Sequence, residues 1–288
     1  MFQYDEPYYF AGIPFTARQV PRKLAWLLGR GQIRQLLKGV YIDVRVRDSS
    51  QLRSDALRLV VPPDAVVCGR AAAWLHGIDT TALGAEDLIQ PEWTHQPITE
   101  VVEVDGIRVT SPAATALGLA MRLPRPFALS AVDAILRSGK ADRLALRAAS
   151  AAYEGHRGYR QCQTILRYAD RRAASPGESW LRLRLLDAGF GTPDLQVRVD
   201  GPSRVYRLDL GYPGRVVDGR RLGLEYDSDQ WHSTQKQQLR DETRRTELDG
   251  LGWHVISVRR TDLWGSYPAL ELAVGAFLCQ EPRLPRRW

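Results

Sequence analysis

The alternation of apolar and polar residues is clearest at residues 222–232, which read LGLEYDSDQWH. Apolar side chains occupy every second position from Leu222 to Tyr226, the period of a β-strand. Glu225 and Asp227 therefore project from one face of that strand. We take this stretch as the feature around which the C-terminal part of the chain is organised.

Three carboxylates and one imidazole lie close together in this stretch, because Asp229 and His232 follow Glu225 and Asp227. Such groups are ligands for hard cations and carriers of protons. A polar strand edge that runs into a solvated loop explains the same residues. The rest of the chain decides between the two interpretations.

The flanking pattern predicts further elements. A helix begins after Ser175 and carries Glu178 on its inward face. Residues 195–199 and 205–210 form a hairpin in which Asp209 points away from its apolar neighbours. The remaining elements are a long polar link at 211–221, a charged helix at 235–250, a strand at 254–258 and a helix at 268–278.

Carboxylates on neighbouring strands can face each other across this predicted sheet. Asp209 lies on the second strand, Glu225 and Asp227 lie on the third, and Glu178 can join them from the helix. Mg²⁺ (or Mn²⁺) prefers such oxygen ligands together with water and a substrate phosphate. A bound ion would polarise the phosphate and activate water, so hydrolysis fits better than kinase chemistry, for which no nucleotide loop is present.

The first 60 residues show shorter periods. A brief helix precedes a second one in which Leu24, Leu27 and Leu28 form one buried face. Two short strands then flank a turn at Lys38 and Gly39. This order is the outline of a winged helix-turn-helix, and an ordinary αα-hairpin with a solvated basic face is the alternative.

Basic residues accompany these elements. Arg18, Arg22 and Lys23 lie at or before the start of the second helix, where such a helix meets a DNA groove. Arg34 and Lys38 lie on the predicted wing, near phosphate. We predict that these five residues contact DNA.

The middle of the chain indicates a mixed α/β scaffold. A small-residue helix ends at Gly77, and His76 before it is expected to be a core or capping histidine. Two strands around a turn at 105–106 precede a helix that Ser111 opens. Residues 141–173 predict two later helices, broken near Gly155 to Gly158. Four arginines of this region fit phosphate contacts or a solvated charged face equally well, namely Arg147, Arg157, Arg160 and Arg167. The best domain boundary is at 173–177.

Composition narrows the class of partner. The chain has 288 residues, a net charge of +7 and a pI near 9.5, which favour two or three domains and a polyanionic partner, with nucleic acid first. An arginine-rich proteome would give the same bias. No secretory signal, membrane-spanning run or paired cysteines appear, so we expect a cytoplasmic protein without a cysteine zinc site.

Residues 8–140 resemble AbiEi-type antitoxins and their relatives. The motifs are RG at 30–31 with KGVY at 38–41, VVCGRAAAWLHGI at 66–78, and GIRVTSPAATALG at 106–118. The resemblance implies DNA binding, and often autoregulation of an operon whose partner gene encodes a nucleotidyltransferase-like toxin.

Residues 175–265 resemble the PD-(D/E)XK nuclease superfamily, and more closely its Vsr-like endonuclease branch. The signature consists of Glu178, Arg207-Leu-Asp209, Glu225-Tyr-Asp227, His232, Asp241 with Arg244 and Arg245, Leu248, and Gly252-Trp253-His-Val-Ile.

The resemblance assigns roles. Asp209 and Glu225 would bind metal, a role that the strand pattern extends to Asp227, and Glu178 would complete the site. His232 would act on the scissile phosphate or its water, and Arg244 would contact phosphate. Asp227 stands where the superfamily pattern has lysine, so an inactive relative that retains the fold is the alternative.

The sequence therefore predicts a winged helix-turn-helix at 1–60, an AbiEi-like α/β scaffold at 61–174 and a Vsr-like nuclease domain at 175–288. The predicted function is DNA binding with Mg²⁺-dependent cleavage of DNA. The alternative is an AbiEi-like antitoxin and repressor whose nuclease-like domain is inactive. A purely structural acidic cluster and an RNA substrate stay open.

Overall fold

A computed structural model describes residues 9–20, 22–80, 88–95, 100–202, 204–227 and 235–288, with the backbone alone for residues 9 and 235–241. The chain divides into two compact units. The first contains residues 1–122 and 138–166, and the second contains residues 123–137 and 167–288. Within the described ranges, no helix combines the length and the apolar character needed to cross a bilayer.

The first unit begins with a small antiparallel sheet of order β1-β3-β2. Its elements are β1 (Phe15–Thr16), a 3₁₀ turn (Ala17–Gln19), α1 (Leu24–Gly29), β2 (Ile33–Leu37) and β3 (Val40–Asp43). The predicted strands and their turn are confirmed, with Gly39 at a φ of +85°. The first predicted helix is only the 3₁₀ turn, and a winged helix-turn-helix stays a prediction.

Helix α1 buries less of its surface than its apolar spacing predicts. Leu27 is buried against Phe15, Ile33 and Tyr41. Leu28 is 39% exposed, so the prediction that it belongs to the buried face is wrong. The physical reason is that this core is small and the helix has only six residues, which leaves one side of it uncovered.

A second sheet follows in the first unit, with the order β5-β4-β7-β6 and a parallel pairing of β4 with β7. His76 is buried, and its Nε2 lies 2.8 Å from the carbonyl oxygen of Thr110, as expected of a core histidine. The remaining elements of the first unit are α2 (Ser50–Arg58), β4 (Val66–Val67), α3 (Gly69–Leu75), β5 (Trp93–Thr94), β6 (Val101–Val104), β7 (Ile107–Thr110), α4 (Pro112–Arg122), α6 (Arg143–Ser150) and α7 (Tyr159–Tyr168). Helix α5 (Arg125–Arg137), which lies between α4 and α6 along the chain, belongs to the second unit.

The second unit is built on a mixed sheet of order β11-β10-β9-β8, in which only β10 and β11 run parallel. The predicted order of helix, three strands, helix, strand and helix is confirmed, with one short helix added. The elements are α8 (Pro176–Asp187), β8 (Asp194–Asp200), β9 (Val205–Val217), β10 (Arg220–Asp227), α9 (Gln235–Gly250), β11 (Trp253–Arg259), α10 (Arg260–Leu263) and α11 (Ala269–Leu278).

The predicted polar link at 211–221 is wrong. Strand β9 continues to Val217, and a two-residue turn at Asp218 and Gly219 leads into β10. The register shifts between Arg221 and Leu222, so Pro213 and Gly214 fall in a bulge, where a missing N–H is tolerated, while Gly211 stays paired with Gly223. The connection is therefore a tight hairpin.

Helix α8 is buried along most of its length, including two arginines. Arg182 is 1% exposed and donates to Asp133 of α5 at 2.5 Å. The same carboxylate accepts hydrogen bonds from Ser179 Oγ and from the Asp170 N–H, both at 2.7 Å. Removing one partner of such a pair costs about 3–5 kcal/mol, so this contact ties α5 to the second unit.

The mixed α/β, multidomain class is thus confirmed, and a restriction-endonuclease-like sheet stays a prediction. The three predicted domains also stay predictions, since the division into units describes only which residues pack together.

Gly177 provides a test of how α8 packs on the sheet. A Cβ at this position would overlap the ring of Tyr226 on β10. We expect Gly177→Ala to lower the free energy of unfolding by about 1–3 kcal/mol, measured by urea denaturation. Gly214→Ala on β9 is the control, because a Cβ there meets nothing within 4 Å. Equal stability of the two variants would contradict this packing.

Candidate active site

The predicted carboxylates lie where the ladder between β9 and β10 ends. The last paired residues are Leu210 and Leu224. One step further, the side chain of Asp209 accepts a hydrogen bond from the Tyr226 N–H through Oδ2 at 2.8 Å. The Asp209 carboxylate thus takes the place of a backbone carbonyl as the last acceptor of the ladder. This hydrogen bond fixes Asp209 beside β10.

Glu178 approaches from helix α8 and is only 6% exposed. Ser175 caps the helix by accepting the Glu178 N–H at 3.2 Å. The Glu178 carboxylate accepts the Ala174 N–H and the Gln196 side-chain amide, each at 3.0 Å. The inward orientation predicted from the helix period is confirmed.

Gln196 on β8 belongs to this site and could not be anticipated from the sequence. Its φ of +54° lies in the left-handed region, which costs a non-glycine residue roughly 1 kcal/mol or more. The side chain that this backbone positions is the one that bonds Glu178. No residue type or spacing signals this conformation, and glycine would have been the usual choice there.

Glu225 is half-buried and forms an ion pair with Arg244 of α9. Arg244 also donates to the Arg207 carbonyl at 3.2 Å, and its guanidinium lies 5.6 Å from the centre of the Tyr206 ring. Arg244 was expected to contact a phosphate. In this structure it neutralises a carboxylate of the site.

Burial raises the pKa of Asp209 to about 6. The Tyr226 N–H opposes that rise, and so does the charge of Arg244. Glu178 and Asp227 raise the pKa of Asp209 further because all three are negative.

Glu225 responds in the same way. Burial raises its pKa, the contact with Arg244 lowers it, and the charges of Asp209 and Asp227 raise it again. Asp209 therefore interacts electrostatically with the three other predicted carboxylates, Glu178, Glu225 and Asp227.

The geometry stops short of a formed metal centre. In the part of the chain that the structure describes, no three His, Cys, Asp or Glu side chains form a group that could hold a metal ion. Asp209 and Glu225 are instead occupied by an N–H and a guanidinium, and Asp227 is exposed at the strand end. Asp229 and His232 lie outside the described residues. The metal ligands therefore stay a prediction.

The predicted DNA contacts belong to the first unit, apart from Arg244. Arg18, Arg22, Lys23 and Lys38 are exposed. Arg34 is half-buried, and its guanidinium donates to the Val46 carbonyl at 3.0 Å, so part of its hydrogen-bonding capacity is used within the unit. The four arginines of the middle region that fit phosphate contacts, Arg147, Arg157, Arg160 and Arg167, are exposed.

Comparison with known proteins places the chain in a family. A family model described as the AbiEi antitoxin C-terminal domain matches residues 92–167. Two curated relatives are uncharacterized protein MT2308 and uncharacterized protein Rv2248, from Mycobacterium tuberculosis strains CDC 1551 and H37Rv. Each is 34% identical over 217 residues, which is 72% of this chain and 78% of the relative. The chain belongs to the same family as these two proteins. No solved structure matches it.

The match confirms part of the resemblance to AbiEi-type antitoxins. It covers β5 to α7, including the predicted GIRVTSPAATALG motif at 106–118. The motifs at 30–41 and 66–78 lie outside it, as do residues 175–265, on which the resemblance to nucleases depends. The nuclease assignment therefore has no support from these comparisons.

The raised pKa of Asp209 predicts how stability depends on pH. A carboxylic acid whose pKa is higher in the native state than in the unfolded state lowers the free energy of unfolding as the pH rises. For Asp209 this loss occurs between its unfolded pKa, near 3.8, and its folded pKa of about 6. Asp209→Asn keeps an acceptor for the Tyr226 N–H and removes the charge. At pH 7.5 we expect it to raise the free energy of unfolding by on the order of 1 kcal/mol, after discounting for solvent screening.

This gain should vanish near pH 4, where native Asp209 is protonated. Urea denaturation of wild type and variant at the two pH values measures it. Asp200→Asn is the control, since Asp200 is an exposed carboxylate paired with Arg198 on the same sheet. A stability difference that does not change with pH would contradict the assignment.

Proposed function

We propose that this chain is a DNA-binding protein of AbiEi type whose second unit hydrolyses phosphodiester bonds with a divalent cation. The observation that carries the proposal is the position of Asp209, which is partly buried at the end of β9 and interacts with three further carboxylates in a chain of net charge +7. These are Glu178 on α8 and Glu225 and Asp227 on β10. Partly buried like charges are unfavourable unless something compensates them, and a cation is the simplest compensation.

The donor set fits a hard divalent ion such as Mg²⁺ or Mn²⁺, because all of its members are carboxylate oxygens. Asp209, Glu225 and Asp227 would hold the ion, and Glu178 would support them. When bound, such an ion polarises a phosphate oxygen and lowers the pKa of water.

Arg244 has a defined part in this proposal. Its guanidinium pairs with Glu225 in the structure, and Glu225 would have to exchange that partner for the cation. Arg244 would then be free to bind a phosphate of the DNA, since arginine binds carboxylate and phosphate with the same fork of donors. This exchange supplies a positive charge although Asp227 stands where the nuclease pattern has lysine.

The other residues of the site have simpler roles. The Tyr226 N–H keeps Asp209 oriented at the strand end, and the Gln196 amide holds Glu178. His232 would transfer protons at the scissile phosphate or its water, as the nuclease resemblance implies.

A second candidate function has its own observation. The domain match at 92–167 favours an antitoxin and repressor, because antitoxins of this type pair with a toxin and bind DNA. A nucleotidyltransferase-like toxin is the partner that the resemblance suggests. In this reading the Glu225–Arg244 pair is permanent and the carboxylates are a remnant of a nuclease site.

A plasmid-nicking assay tests the first function. Purified protein is incubated with supercoiled plasmid at pH 7.5 and Mg²⁺ or Mn²⁺, and nicked and linear forms are quantified. We expect metal-dependent cleavage in wild type and a loss of about 100-fold or more in Asp209→Ala, because the ion supplies several kcal/mol of transition-state stabilisation. Asp200→Ala should cleave at the wild-type rate, since that carboxylate is 69% exposed and away from the site.

The outcomes separate the two candidates. Cleavage that persists in Asp209→Ala points to a contaminating nuclease and contradicts the proposal. Salt-sensitive DNA binding without cleavage under either metal favours the repressor. Absence of both binding and cleavage contradicts both functions.

A further inference from the structure

Every charged residue of the N-terminal module, residues 9–42, is basic. It contains six basic residues and no Asp or Glu, and the first acid after it is Asp43. The basic residues are Arg18, Arg22, Lys23, Arg30, Arg34 and Lys38. A surface of this kind attracts a polyanion and repels a partner with like charge.

An exposed tryptophan lies in the middle of this module. Helix α1 packs through Leu27 on the small core, and Trp26 is 51% exposed. The guanidinium of Arg30, one turn later, lies 4.7 Å from the centre of the indole ring. Lys23 lies one turn before Trp26, so the three residues form one stripe along the helix.

The length of α1 limits how it can contact nucleic acid. Six residues span about 9 Å, whereas a helix that reads a major groove about 12 Å wide places three or four side chains along several base pairs. One bulky indole, flanked by cations, is poorly suited to reading base edges. It is well suited to stacking on a base that is not already stacked in a duplex.

We propose that the stripe of Lys23, Trp26 and Arg30 binds single-stranded DNA, with Trp26 stacking on an unpaired base and the two cations contacting flanking phosphates. This inference deepens the DNA binding of the proposed function and depends on it. It does not depend on the acidic site of the second unit.

Fluorescence anisotropy with a labelled 20-nucleotide single strand and the duplex of the same sequence tests the inference. We expect Trp26→Ala to weaken binding of the single strand about 10-fold, the typical contribution of one stacked base, and to change duplex binding less than about 3-fold. Trp26→Phe should retain most of the affinity, since a smaller ring still stacks. Leu28→Ala is the control, because Leu28 is an exposed apolar residue on the same helix but not in the stripe.

Salt titration gives a second readout. Arg30→Ala should reduce the slope of log affinity against log salt by about 0.7 for the single strand, and Trp26→Ala should leave it unchanged. Melting curves establish that each variant folds. If Trp26→Ala does not fold, Trp26→Phe and Arg30→Ala still test the proposal through affinity and slope.

Equal weakening of single-strand and duplex binding by Trp26→Ala would overturn the inference, and so would no weakening of either. In both cases the proposed DNA binding survives. Failure of wild type to bind either DNA overturns the inference together with that proposed function. If the Leu28→Ala control loses as much affinity as Trp26→Ala, any loss of apolar surface on α1 weakens binding, and stacking by Trp26 is not required. That result also overturns the inference.

Discussion

The imbalance of charge at the end of β9 and β10 is the constraint on which the candidate site depends. Asp209 and Glu225 are partly removed from water, and among the described side chains the positive charge of Arg244 opposes both. Each carboxylate is then held by a specific donor, which limits where it can move. A site that keeps such repulsion is less stable than one with neutral residues, and this loss of stability is typical of positions that bind ions or substrates.

The rest of the second unit holds these charges in place. Helix α8 brings Glu178 inward because most of its surface is buried, and its Arg182 is neutralised by Asp133. The strained backbone at Gln196 places an amide against Glu178. The strained residue costs free energy and orients the Glu178 carboxylate, whereas the buried ion pair joins α8, which carries Glu178, to α5. The scaffold and the site are therefore one structural unit.

Sequence periodicity predicted the strand of Glu225 and the inward face of Glu178, because period and capping are local. It failed for residues 211–217, where a proline and two glycines suggest a loop but pairing with β10 makes a bulged strand. The contact through which Asp133 of α5 binds Arg182 of α8 has no local signal in the sequence either. Leu28 was expected to be buried, and the small core beneath α1 leaves it exposed. Pairing partners, strained backbone and core size are tertiary properties that no local pattern encodes.

We propose that the acidic end of the sheet binds a divalent cation. Electron paramagnetic resonance of free Mn²⁺, titrated with wild type and with Asp209→Asn at pH 7.5, measures this without any DNA or catalysis. We expect wild type to remove Mn²⁺ from solution at this site, and we expect the variant, with its ligand charge removed, to lose that binding. Equal Mn²⁺ binding by the two proteins, or none by wild type, would contradict it.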